Sequence, residues 1–293
     1  MRILQLLDKE EDLRMVLYNK NKTYLTLETI AVTIIFELKR QWKIFLGFAI
    51  ASFVFVLSLS ILPYVLIPDY PLPETQNAYF QEGLQFFIII ILIAACLFFS
   101  GIICSEYGNR TGYIVFPIIK KQKVFIGKFI GGLIYLYLII GVFYLTLGLA
   151  GLAFYGELID LYFISLSFAL ICCLAICCFI SLMSSVLKNT TISIVVSITI
   201  LLVGDRIFST LISLVAPDFE PLFSLNYASN ILIYVFEDDF LLGVMVRFRE
   251  QYRMGFETIV WLTPSLEAGL AIFISYMGIS LVPTFLFLKR RQL

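Results

Sequence analysis

The sequence contains no histidine. That removes the commonest metal ligand and the commonest general base together. Charge is scarce as well: only 14% of the 293 residues are Asp, Glu, Lys or Arg, and the two signs cancel. A neutral chain exerts no long-range attraction on nucleic acid, so no nucleic-acid partner is expected. No GxxxxGK[ST] occurs; Gly127-Lys128 is followed by Phe129 and lacks the upstream glycine spacing, so no P-loop is present to cradle nucleotide phosphates. Residues 1–21 are charged and amphipathic, without the central apolar core of a cleavable signal peptide. Cys96, Cys104, Cys172, Cys173, Cys177 and Cys178 lie inside apolar runs without CxxC spacing. They read as small hydrophobes rather than disulfides or metal ligands.

What is present is apolar. Hydrophobic residues make up 60% of the chain and the mean hydropathy is +0.96, whereas soluble domains average roughly 45–50% apolar. The apolar residues fall in runs of about 20, the length needed to cross a bilayer. The expected fold is therefore an all-α membrane protein with six spans, at about 44–67, 86–104, 129–154, 161–186, 190–215 and 265–288. Ahead of them, Leu27, Ile30, Ala31, Ile34, Ile35, Leu38 and Trp42 follow i, i+3, i+4, i+7 spacing, with Glu28, Thr29, Thr33, Glu37 and Arg40 elsewhere on the wheel. Residues 1–43 are thus expected to be cytoplasmic and interfacial, with a helix lying flat in the headgroup layer before turning into the first span. Pro283 is expected to kink the sixth span.

Lys and Arg are sorted along the chain. Eight fall in the first 43 residues, five in 105–128, one at Lys188 and three in the tail 289–293, while the first two loops on the other side hold none. The third such loop, 216–264, holds three. The positive-inside rule then places both termini in the cytoplasm of a multi-pass cell-membrane protein. The sequons at Asn21, Asn109 and Asn189 fall on that inner side and are not expected to carry glycans.

The loop 105–128 is the most distinctive stretch. Glu106 and Arg110 are four apart and pair if they share a helix. Gly108 and Gly112 permit bends, Pro117 forces one, and Lys120, Lys121 and Lys123 present positive charge. On these residues alone, an ordinary cytoplasmic loop obeying the positive-inside rule remains open. Taken with six spans and an amphipathic leading helix, however, Glu106, the Gly108/Thr111/Gly112 group, Pro117, Lys120 and Gly127-Lys128 resemble the permease subunit of the type-2 family of ATP-binding-cassette exporters. The segment 216–264 is long for the plain bacterial form. The resemblance implies a coupling loop at 105–128 in which Glu106, Gly108, Arg110, Thr111, Gly112, Pro117 and Lys120 meet a separate ATPase subunit, with Lys188 as a smaller second contact. It also implies a second permease copy or a homologous permease. ATP and magnesium would bind the partner ATPase; no cofactor is expected on this chain, and it is read as a transport subunit rather than an enzyme.

Within the membrane, Asp205 and Arg206 are the costly residues. They stand either at the outer mouth of a translocation path or, if the fifth span stops at Gly204, at the interface. Phe98 and Phe99, with Phe86 and Phe87, are candidates to line an apolar path. Gly132, Gly141, Gly148 and Gly151 are read as helix-packing positions, as are Ser165, Ser167, Ser181, Ser184 and Ser185. In 216–264, Tyr227, Tyr234, Tyr252 and Trp261 suit a membrane interface, and short outer-leaflet helices are expected there. Two further classes compete: an intramembrane enzyme, disfavoured by the missing histidine, and an ATP-independent carrier or membrane assembly scaffold.

Overall fold

A computed structural model describes residues 2–60, 62–66, 71–108, 119–216, 219–237, 240–241, 243, 245–253 and 256–290, with side chains placed from Glu28 onward except at 60, 108 and 251–258. Six helical stretches are long and apolar enough to cross a membrane: Glu28–Leu59, Gln76–Tyr107, Lys121–Tyr155, Asp160–Val186, Thr190–Val215 and Leu266–Arg290. The protein is a predominantly helical, multi-pass membrane protein.

In chain order the elements are α1 (Arg2–Ser60), α2 (Leu62–Leu66), α3 (Gln76–Leu84), α4 (Phe87–Phe99), α5 (Gly101–Gly108), α6 (Lys121–Tyr155), α7 (Asp160–Val186) and α8 (Thr190–Ile198). A π-helical turn over Thr199–Gly204 leads into α9 (Asp205–Val215). Then come α10 (Leu225–Ser229), α11 (Ile231–Tyr234), strands β1 (Phe248–Arg253) and β2 (Phe256–Trp261), and α12 (Leu266–Arg290). Local chemistry explains several boundaries. The Thr75 hydroxyl accepts from the Ala78 N–H at the start of α3, and the Asn189 side chain accepts from the Thr191 N–H at the start of α8. Helix α6 stops at Gly156, whose φ of 80° is left-handed and whose N–H closes on Leu152 O.

The second, third and fourth spans form the core, with more than half of each apolar window buried, against 11%, 17% and 22% for the first, fifth and sixth. Close contact in the core depends on missing side chains. A Cβ on Gly151 would lie 2.8 Å from the Phe80 ring, and one on Gly148 would lie 2.7 Å from the Tyr162 hydroxyl. Gly141 differs from its expected packing role: a Cβ there meets nothing within 4 Å.

Two sequence expectations change. The leading helix and the first span are not separate elements; α1 runs unbroken from Arg2 to Ser60. No glycine precedes Gly47 and no proline precedes Pro63, so nothing in the sequence interrupts it. Its apolar stripe is also divided: Ile30, Ile34 and Leu38 are half-buried, while Ala31, Ile35 and Trp42 are exposed. Two polar residues of the same stretch, Glu37 and Gln41, are buried against the bundle, where a polar group in lipid is expected to turn.

The second change concerns 216–264. Its first half does form the short helices α10 and α11, but its second half is an antiparallel hairpin with Phe248 opposite Trp261 and Arg253 opposite Phe256. Both β-branched Ile259 and Val260 lie in β2, where stiff side chains favour extended backbone. Phe248 and Trp261 pack edge to face at 5.5 Å.

Candidate functional site

Two polar regions stand out, one at each end of the bundle. At the end carrying the 109–120 link, α5 finishes at Gly108 and α6 begins at Lys121. Glu106 and Lys128 are both buried, and the Lys128 Nζ donates to Glu106 Oε1. The sequence reading paired Glu106 with Arg110, one turn along, which lies outside the described residues; among the described residues Glu106 pairs with Lys128, 22 positions away on the next helix. Two charges withdrawn from water require each other, so the pair clamps the second span to the third just inside the polar link.

Of the other loop residues named from the sequence, Arg110, Thr111, Gly112 and Pro117 lie outside the described residues, and Gly108 is the last residue of α5. Lys120 is exposed immediately before α6, and the Lys121 ammonium stands 6.0 Å from the centre of the Tyr107 ring. Lys188 is exposed in the tight link after α7. That link is tied to the same end of the second span, because Cys104 Sγ lies 3.3 Å from Leu187 O.

Above the ion pair the second span is interrupted between α4 and α5. The buried Ser184 hydroxyl of α7 donates to Ser100 O at 2.8 Å and accepts from Ile103 N at 3.1 Å and Cys104 N at 3.2 Å. It therefore sits between a carbonyl and the amide four residues on, the place of an ordinary i→i−4 bond. An inserted hydroxyl of this kind is a recognised cause of a helix bend. The sequence reading marked Ser184 only as a small packing residue.

A third helix joins this end. A Cβ on Gly127 would lie 2.6 Å from Thr33 Cβ, and one on Gly131 would lie 3.1 Å from Glu37 Cβ, so α1 and α6 approach along a GxxxG face. The fully buried Glu37 accepts from Arg40 Nη2 at 2.5 Å and from Gln41 Nε2. Its Oε2 and the Gln41 Oε1 have no hydrogen-bond partner among the described residues. The sequence reading set Glu37 off the apolar stripe, with no role of its own. The signal available was Gly127 and Gly131, four apart, opposite a lone acid in an apolar window.

At the opposite end, the connectors are laced together. Gln76 Nε2 donates to Glu157 O at 2.6 Å, Tyr155 OH to Pro73 O at 2.7 Å, and Gln81 Nε2 to Glu237 Oε1 at 3.1 Å. The fifth span continues through Gly204 to Val215. Asp205 therefore lies within it, and its Oδ2 accepts from Ser224 Oγ at 2.6 Å and Asn226 N at 2.9 Å. Beyond it, Glu220 accepts from Arg247 Nη1 at 2.9 Å and from the Tyr227 hydroxyl at 2.8 Å. Burial, then that carboxylate, pushes the Tyr227 phenol well above its usual range. Between these groups lies a cavity of about 440 Å³, lined by Arg206, Ser209, Thr210, Ser213, Asn226, Tyr227, Asn230 and Trp261 among others.

Phe98 and Phe99 are core side chains. Phe98 packs at a tilt against Tyr135 at 5.8 Å, and Phe99 packs edge to face with Phe129 at 5.2 Å and covers Gly132. No protein-family model matches the chain, and no curated protein matches it.

Proposed function

We propose that the chain is the membrane-spanning subunit of an ATP-driven exporter of the type-2 ATP-binding-cassette kind, acting as a dimer with a second permease copy on separate ATPase subunits. The observation that carries this reading is the buried Glu106–Lys128 pair. It spans the base of the basic 109–120 link, so a push on that link from a docked ATPase moves the second and third spans as one body. Ser184 then hands the movement to the fourth span and lets the second bend at Ser100. Nucleotide state on the partner selects between two arrangements of the spans; hydrolysis happens outside this chain. Both termini and the Lys120 and Lys188 contacts lie on the cytoplasmic face of the cell membrane.

The docking test uses exposed lysines, because reversing buried Glu106 would damage the fold. The full chain is co-purified with a candidate ATPase, and the double variant Lys120→Glu/Lys188→Glu is compared. Loss of association and of stimulated ATP turnover, with an unchanged melting temperature, is expected. Unaltered association and turnover would remove the docking assignment.

The carrier reading draws on one observation, the π-helical interruption immediately before Asp205. Interrupted spans beside an intramembrane charge are a feature of secondary transporters. Ion-coupled uptake by proteoliposomes holding this chain without any ATPase would favour it over the exporter.

A further inference from the structure

Helix α9 has two chemically distinct sides. Arg206, Ser209, Thr210 and Ser213 follow i, i+3, i+4, i+7 spacing and all line the 440 Å³ cavity. Phe208, Leu211, Ile212 and Val215 line a second hollow of about 460 Å³ whose walls have no polar surface. The two hollows meet at Phe219, which borders both. A polar stripe inside a membrane span is costly unless it faces protein, water or a ligand.

The charges around the cavity are unevenly committed. Asp205 is occupied by Ser224 and Asn226, and Glu220 by Arg247 and Tyr227. The Arg206 guanidinium makes no hydrogen bond or ion pair among the described residues, and it is exposed. The Ser209, Thr210 and Ser213 hydroxyls donate back to the carbonyls of Asp205, Arg206 and Thr210, at 2.8, 2.9 and 2.8 Å. Each hydroxyl can turn from its helix carbonyl and donate to a ligand instead. The cavity thus combines a guanidinium, whose one charged neighbour of opposite sign is the already occupied Asp205, with a row of potential donors, within the roughly 300–1,000 Å³ of small-molecule sites.

We propose that this cavity binds the anionic head group of an amphiphile, the Arg206 guanidinium taking a phosphate or carboxylate while the acyl or alkyl tail lies along Phe208, Leu211 and Phe219. Those three side chains are 63%, 54% and 53% exposed, so the tail stays in contact with lipid while the head leaves it. The head enters sideways from the bilayer. The assignment concerns binding, and it stands or falls separately from ATP coupling.

Trp261 borders the cavity, and the chain's only other tryptophan is Trp42. A Trp42→Phe background therefore leaves Trp261 as the sole indole reporter. Dodecyl phosphate is titrated into the full chain in dodecyl maltoside, a detergent without an ionic group, and Trp261 emission is followed. A saturable change is expected, weakened about tenfold or more by Arg206→Gln, as fits loss of a charge-assisted contact. Arg206→Lys should retain part of the affinity, and circular dichroism should be unchanged in both. If inorganic phosphate competes at the same concentration as dodecyl phosphate, the site holds a free anion and the amphiphile assignment fails. If dodecanol binds as well as dodecyl phosphate, or Arg206→Gln binds normally, the head-group assignment fails.

Discussion

Glu106 and Lys128 are two opposite charges held together out of water. With side chains 10% and 4% exposed, neither has water to fall back on, and deleting Glu106 leaves the Lys128 ammonium buried without its carboxylate. Removing one partner of such a pair typically costs about 3–5 kcal/mol, whereas replacing both with apolar side chains is often near neutral. Lys128→Met and Glu106→Leu alone should each lower the melting temperature of the detergent-purified protein sharply. The double variant should recover most of the loss, and if the exporter proposal is right it should still uncouple transport from ATP turnover. A double variant as unstable as the singles would show that the residues act independently. Sequence alone hid this pair for a geometric reason: proximity on one helix is readable from spacing, but a contact across 22 positions needs the relative placement of two helices. Ser184 was hidden for the same reason. Ser184→Ala leaves Ser100 O, Ile103 N and Cys104 N without the hydroxyl they share. It should accelerate amide exchange at 103–104 above that at Ile139 and Ile140 in the core of α6.

At the scale of elements, the interface between α1 and α6 is set by absent side chains. Val at Gly127 would press into Thr33, only 2.6 Å from the added Cβ, so Gly127→Val should destabilise by about 1–3 kcal/mol. Gly141→Ala in the same helix meets open space and should be neutral or slightly stabilising, as alanine is the better helix former. Thermal unfolding of the two variants side by side separates the effects, and equal losses would contradict the packing described. The helices themselves were plain in the sequence, because long apolar runs have few alternative fates. Which face of α1 turns inward was not. Ile35 and Trp42 share a side, Glu37 and Gln41 share another, and periodicity cannot say whether the apolar side meets lipid or protein. The hairpin was missed because Phe248 to Arg253 is too polar to stand out as a strand, and its partner Phe256–Trp261 resembles an interfacial aromatic cluster.

On the scale of the whole molecule, six crossings make sidedness a matter of parity, and one labelled position at each end tests it. All six native thiols are buried, so an introduced cysteine supplies the reactive group in an otherwise unaltered chain. Lys120→Cys and Leu241→Cys lie at opposite ends, both exposed. In intact cells an impermeant maleimide should label Leu241→Cys and spare Lys120→Cys until the membrane is opened. The reverse pattern would invert the proposed orientation and with it the docking face.

Helix α1 contains 59 residues, about 88 Å of continuous rod at 1.5 Å per residue, against a hydrocarbon layer roughly 30 Å thick. Its first 26 residues, Arg2 to Leu27, measure about 39 Å, an arm longer than that layer is thick. Rotation of such an arm about its foot is amplified at the tip: a tilt of about 10° sweeps the far end through about 7 Å. Movements within the bilayer too small to notice beside a side chain would thus be read out as a swing several atoms wide.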